Sequence, residues 1–390
     1  MGGIGVPTTV GIMSMQRILN YGSTLQAYSL KRLIQSVSPG ADVAFLDYAP
    51  GEVLAREGGA GAAAPGATRR RISKALEYGR GQGSVRDKIG FFAHKRGYAA
   101  RNFPLAGIPA APNRDLAVDV QVIGSDEVFN CVQSNANVGY ARDLFAHGSP
   151  ARRIVSYAAS FGNTTLEKID AAGIRGELAA DLERFAEVSV RDRNSRSIIE
   201  ELTGRTPDVN VDPALAYDLM GLESRIPRGR LQPDPYIIVY GYSGRLSREE
   251  NQELRRYADG IGASILTFGG VQGCADRFVD CSPFELLAYF RDAAAVVTDT
   301  FHGTIFSIIN QRPFATLVRR SHGNGYGNEE KLAYLLDSLG LSARRLEAVA
   351  QVADVLGEPI DYSAVESVIA RERARSREYL VRAVEGDSAQ

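Results

Sequence analysis

The chain has 390 residues, enough for two or three domains, and 44% of them are hydrophobic and 23% charged. This composition excludes a mostly disordered chain and a fibrous or collagen-like one. Forty-five Lys and Arg against 46 Asp and Glu leave a net charge of -1, so no overall basic field is available to hold nucleic acid or anionic lipid.

Short apolar runs alternate with amphipathic stretches. Strands are predicted at Thr9–Met13, Val43–Asp47, Val118–Ile123, Ile154–Ala158, Val188–Arg191, Val209–Val211, Tyr236–Tyr240, Ser264–Phe268, Ala294–Thr298 and Phe314–Val318. They are mostly apolar throughout, as expected of strands buried on both faces. Helical patterns lie between them at Thr24–Gln35, Leu166–Phe185, Ser195–Leu202, Arg248–Ala258, Pro283–Arg291, Gly303–Ile309 and Glu330–Leu339. Such alternation predicts parallel sheets in an α/β architecture. A charged helix, Ser363–Val384, closes the chain.

Two segments interrupt the pattern. Gly58–Ala67 is low in complexity and reads as a loop. It belongs to an insertion, residues 51–115, with twelve Lys and Arg against five Asp and Glu and a helical pattern around Ile89–Tyr98. This insertion is either a packing arm or a clamp for an anionic substrate. The second, Gly221–Pro235, carries three prolines and reads as a linker between two α/β halves.

Three scattered cysteines, Cys131, Cys274 and Cys281, argue against a disulfide framework and for a reducing compartment, so the cytoplasm is the expected location. No run of about 18 apolar residues occurs, so no integral membrane segment is expected. Met1–Thr9 does not read as a signal peptide. No G-x-G-x-x-G follows the first strand, no Walker A loop or G-x-S-x-G elbow occurs, and no His or Cys pair has metal-ligand spacing. Neither a dinucleotide cofactor nor a metal is expected.

The informative residues lie just past strand ends, where ligand crevices form in open α/β sheets. Asn20-Tyr21-Gly22-Ser23 precedes the first helix, with Ser23 as its expected cap. Ser125 and Asp126 follow the strand Val118–Ile123, and Asp126 suits sugar hydroxyls or the orientation of a base. Ser160 lies in Ser156–Gly162, a run of small residues that lets a ligand approach the backbone. Arg191 ends a strand expected to be central. It either pairs with Asp192 or Asp212 or clamps a carboxylate or phosphate. Asp299-Thr300-Phe301-His302-Gly303 joins an apolar strand to an apolar helix. Asp299 or Thr300 would cap that helix and put His302 in its first turn, where an anion is favoured. The chain has four His; His302 is the leading candidate, His322 follows, and His94 and His147 have little claim.

Taken in order, these clusters resemble the polysaccharide pyruvyl transferase family. The likeness rests on Asn20-Tyr21-Gly22 with Leu25-Gln26-Ala27, Val122–Asp126, Ser156–Gly162, Ser189–Asp192, Val211-Asp212-Pro213 and Thr298–Gly303, and it spans about Thr9 to Leu341. Two positions depart from the family pattern: Phe129 stands where Trp is expected, and Lys331 where Arg is more frequent.

The resemblance implies a GT-B-like α/β fold, two Rossmann-like domains facing across a cleft, with the C-terminal helix crossing back to the first. It divides the chain into residues 8–220, the acceptor side with the insertion, residues 221–360, the donor side, and a helix and tail at 361–390. It also implies transfer of a pyruvyl group from phosphoenolpyruvate to a saccharide acceptor as a ketal, without a cofactor. Arg191 and Lys331 would hold the donor's anions, with Thr300 and Gly303 beside them and His302 as acid or phosphate ligand. Asn20, Tyr21, Gly22, Ser125, Asp126 and Ser160 would face the acceptor, with Asp126 also a candidate base. Two other readings of the same fold are a glycosyltransferase using a nucleotide sugar and a transferase acting on a small natural product.

Overall fold

The computed structural model describes residues 8–54, 82–319 and 329–386. The loop Gly58–Ala67 and the segment Ser321–Asn328 with His322 lie outside the described residues. The first half runs β1 (Thr9–Met13), α1 (Tyr21–Val37), β2 (Asp42–Leu46), α2 (Val85–Asn102), β3 (Val120–Ile123), β4 (Arg153–Ser156), α3 (Leu166–Ala171), α4 (Arg175–Glu183), β5 (Ser189–Val190), α5 (Arg193–Thr203) and β6 (Asp208–Val209). Two short helices follow, α6 (Pro213–Ala216) and α7 (Leu219–Leu222). The second half runs β7 (Tyr236–Tyr240), α8 (Arg248–Gly260), β8 (Ser264–Phe268), β9 (Arg277–Phe278), α9 (Pro283–Asp292), β10 (Ala295–Thr298), α10 (Phe301–Ile309), β11 (Phe314–Leu317), α11 (Glu329–Ser338), β12 (Arg345–Leu346) and α12 (Val352–Gly357). The last helix is α13 (Tyr362–Glu385).

Among the described residues every pair of these strands is parallel. The first sheet has the order β2-β1-β3-β4, and single bridges from Val155 to Glu187 and from Ala159 to Val190 carry it on to β5-β6. The second has the order β12-β11-β10-β7-β8-β9. Counted from its own first strand, this is the doubly wound Rossmann order, and the strand order reverses between β7 and β10. In the first sheet it reverses between β1 and β3. Each reversal opens a crevice at the carboxyl ends of the strands.

One apolar core runs through both halves. It joins Val10 and Ile12 of β1 and Leu25, Leu30 and Ile34 of α1 to Phe284 and Phe290 of α9 and Ile305 and Phe306 of α10. Separate clusters fill the outer faces of the two sheets. The C-terminal helix α13 does cross back. Tyr379 donates to the Ser156 carbonyl at 2.5 Å, Arg153 to the Ala383 carbonyl at 2.8 Å and Arg373 to the Leu215 carbonyl at 3.1 Å.

Several elements differ from expectation. The helix predicted as Leu166–Phe185 is two helices, because Gly173 takes a left-handed backbone at φ 70° between them. The first helix begins at Tyr21 rather than Thr24; Asn20 is its cap and accepts from the Ser23 amide, so Ser23 is not the cap. In the basic insertion, α2 is longer than predicted. It acts as a packing arm, with Phe91 against Phe278, Asp87 accepting from the Phe278 amide, and Arg101 paired with Asp280.

Candidate functional site

Loops from both crevices meet around Arg191, which lies one residue past β5 and is 6% exposed. Its Nη1 donates to Asp212 Oδ2 at 2.9 Å, and its Nη2 stands 3.6 Å from Asp126 Oδ1. The guanidinium lies over the Phe301 ring, 4.4 Å from its centre. Burial alone would lower the pKa of Arg191, but Asp126 and Asp212 outweigh it, so the group is firmly cationic. Of the two partners expected for Arg191, Asp212 is the one bonded. Asp192 instead caps α5, accepting from the Ser195 amide.

Asp212 is the shared anchor. It also accepts from Ser125 Oγ at 3.2 Å and from the Ala214 amide, and it stands 3.5 Å from His302 Nε2. Burial acts to raise its pKa, yet His302, Arg191 and the Ala214 amide hold the carboxyl down at about 2. Arg191 comes from the first half and His302 from the second, and Asp212 bonds the one and stands beside the other.

The position of His302 follows from its loop. Thr300 caps α10, accepting from the Gly303 amide, which answers the alternative between Asp299 and Thr300. Thr298 and Thr300 exchange a hydroxyl hydrogen bond at 3.0 Å, so the chain turns sharply from β10 into the helix. A Cβ on Gly303 would meet Thr298 Oγ1 at 2.2 Å, so only glycine fits this approach of helix to strand. His302 then lies in the first helical turn, mostly buried, with its ring beside Phe301 and Phe306.

Asp126 follows β3 and has φ 83°, a left-handed backbone in a residue with a side chain. Ala158, just past β4, has φ 48°. Two such residues in adjacent loops mark stored strain where the sheet ends. The Asp126 carboxylate accepts from Ser23 Oγ at 2.7 Å and from the Glu127 amide at 2.9 Å. The next residue, Glu127, binds Lys331 of α11 at 2.7 Å and accepts from Asn130 at 2.9 Å. Burial acts to raise the Glu127 pKa, and Lys331 and Arg191 overcome it, lowering the carboxyl to about 2.

The predicted residues therefore divide. Arg191, Asp126, Ser125, Gly22 and His302 share one connected cluster, and Lys331 joins it through Glu127. Gly22 packs directly on the His302 ring. Thr300, Gly303 and Asn20 shape the helix starts at its edge. Tyr21 and Ser160 have hydrogen-bond partners of their own, and the Ser160 amide also donates to the Asp126 carbonyl. The Tyr21 hydroxyl donates to the Cys281 carbonyl at 2.9 Å, and Ser160 donates to Asp192 at 2.5 Å. His147 pairs with Asp181 and His94 with Asp280, away from the cluster. Glu127 was missed by sequence reasoning; its signal was an acidic residue directly after Gly124-Ser125-Asp126.

A family model described as polysaccharide pyruvyl transferase matches residues 20–321. The chain belongs to that family. It is therefore an enzyme of the transferase class, and the matched span contains Arg191, Asp212 and His302. No curated protein matches it significantly. Among solved structures, the S. aureus MnaA-UDP co-structure is similar at a TM-score of 0.50 and 10% identity, over 97% of this chain and 96% of that one. The UDP-GlcNAc 2-epimerase from Neisseria meningitidis bound to UDP-GlcNAc has a TM-score of 0.49 and 8% identity, over 97% and 99%. At this identity the likeness to MnaA concerns the fold. This pyruvyl transferase family member has two Rossmann-like sheets facing across a cleft in the GT-B-like manner. No helix among the described residues is long and apolar enough to cross a membrane.

Proposed function

We propose that the chain moves the pyruvyl group of phosphoenolpyruvate onto two hydroxyls of a saccharide, forming a ketal and releasing phosphate. One observation supports this reading: Arg191 and His302, from the two halves, both approach Asp212, and a second cation, Lys331, is held by Glu127 next to Asp126. The enol ether must gain a proton at its methylene carbon before C2 accepts an oxygen nucleophile. Two C2–O bonds to the sugar then form and the C2–O bond to phosphate breaks. One hydroxyl proton balances the proton given to the methylene, and the other leaves with phosphate.

His302, in a first helical turn beside Asp212, suits proton delivery or contact with the phosphate. Arg191 and Lys331 suit the donor's carboxylate and phosphate. Asp126, strained and aimed by Ser23, suits the acceptor hydroxyl. The halves of the notional division share this work: Arg191 and Asp126 come from residues 8–220, and His302 and Lys331 from residues 221–360. We place the reaction in the cytoplasm, a reading supported by three free cysteines.

The test is incubation with phosphoenolpyruvate and a panel of saccharide and small-molecule acceptors, following phosphate release, with nucleotide sugars in parallel. The expected result is release that needs both substrates and is lost in Arg191→Ala and His302→Ala. Wild-type ketal formation in both variants, or turnover of a nucleotide sugar instead, would overturn the proposal.

A further inference from the structure

The helix α2 carries apolar side chains on both of its faces, unlike an ordinary surface helix. Its inner face carries Asp87, Phe91, His94, Tyr98 and Asn102, all buried. Its outer face carries Val85 at 73% exposure, Ile89 at 65% and Phe92 at 69%. These three recur at i, i+4 and i+7, so they form one apolar stripe along the helix. Large exposed apolar side chains in a row mark a surface that is covered in use.

The charges beside the stripe indicate what covers it. Arg96 continues the stripe one turn further on, and Arg86 flanks its start. The only acidic residue of the helix, Asp87, is turned inward, where its carboxylate accepts from the Ser84 hydroxyl and the Phe278 amide. The exposed face is thus apolar and cationic with no carboxylate of its own. A second copy laid antiparallel on it would set guanidinium against guanidinium. An anionic bilayer surface satisfies both parts, since apolar side chains enter the acyl boundary and Arg meets lipid phosphates. The balanced charge of the whole chain conceals this local excess.

We infer that the outer face of α2 docks the protein onto an anionic phospholipid bilayer, as a peripheral attachment lying in the plane of the interface. The inference stands apart from the reaction proposed above, because it uses no residue of the cleft. The two are nevertheless neighbours. His94 and Tyr98, on the inner face of α2, pack their rings on Tyr21 at 5.4 and 5.7 Å, and the next residue, Gly22, touches His302. Docking through α2 therefore sets the cleft about one helix diameter, roughly 10 Å, behind the membrane-facing side chains.

The experiment is co-sedimentation of the full chain with large unilamellar vesicles, either pure phosphatidylcholine or phosphatidylcholine with phosphatidylglycerol, at low and physiological salt. Binding to the phosphatidylglycerol vesicles is expected, weaker as salt rises, with little binding to phosphatidylcholine alone. Ile89→Asp with Phe92→Asp should lower the partition coefficient at least tenfold, and so should Arg86→Glu with Arg96→Glu. All four side chains are exposed, so circular dichroism and thermal unfolding should match the wild type. Absence of wild-type binding to either vesicle at low salt would overturn the inference. So would binding undiminished in both variants, or a solution dimer that Phe92→Asp dissociates.

Discussion

A Cβ placed on Gly22 would stand 2.3 Å from His302 Nδ1, so the glycine in the first turn of α1 is the seat of the histidine ring. The contact joins the two halves of the molecule at the point where the crevices of both sheets meet. It also gives the Asn20-Tyr21-Gly22 motif a physical reason: Asn20 starts the helix, Tyr21 anchors it on Cys281, and Gly22 makes room for His302.

Gly22→Ala tests this seat. Alanine is the better helix former by up to about 1 kcal/mol, so the helix itself gains. The methyl group must push His302 away from Asp212. Activity is expected to fall at least tenfold while far-UV circular dichroism is unchanged. Wild-type turnover in this variant would show that His302 has another position available.

Asp212 carries a second prediction. Asp212→Asn keeps the shape but withdraws the charge that Arg191 meets at 2.9 Å. A buried guanidinium losing its nearest carboxylate costs on the order of 3 kcal/mol. Urea unfolding should therefore show a lower midpoint, and turnover should fall as well because His302 loses its neighbour. A stability equal to wild type would mean that Asp126, at 3.6 Å, suffices for Arg191.

The acid limb of stability should depend on Glu127. Its carboxyl titrates at about 2 in the folded chain against an ordinary value of 4.5. A lowered folded pKa gives stability that is complete above about pH 4.5 and is lost as pH falls toward 2. At full strength the contribution is on the order of 3 kcal/mol. Glu127→Gln should thus be less stable than wild type at pH 7, and the gap should close between pH 4.5 and 2. Unfolding free energies measured at pH 7, 4 and 3 check this; a gap that stays constant across them would contradict it.

The sequence pattern revealed strands well and interfaces poorly. Apolar runs such as Tyr236–Tyr240 and Ser264–Phe268 read correctly because strands buried on both faces leave no other pattern. The two-residue edge strands Arg277–Phe278 and Arg345–Leu346 are too short to show any periodicity. On α2 the apolar pattern does not pick one face, since Phe91 and Tyr98 face inward with Asp87 and His94 while Ile89 and Phe92 face outward. In the site, Arg191 and His302 were legible because a charged or imidazole side chain at a strand end is costly without a purpose. Asp212 was legible as one of two partners for Arg191, but the anchoring by Glu127 was not, since Glu127 meets Lys331 across 204 positions of chain and only the fold brings them together.

That pair supplies the last prediction. Lys331 has two possible tasks, to neutralise Glu127 or to meet the donor, and a double variant separates them. Lys331→Met should raise the KM for phosphoenolpyruvate at least tenfold with a smaller effect on kcat, and Lys331→Arg should stay within about threefold of wild type because the cation is kept. If Lys331 serves only Glu127, adding Glu127→Gln to Lys331→Met removes the unpaired carboxylate and restores the KM. If Lys331 meets the donor, the double variant recovers stability but its KM stays high. The second outcome is expected, because a phosphate approaching this cleft competes with Glu127 for Lys331, and removing the competitor cannot replace the cation.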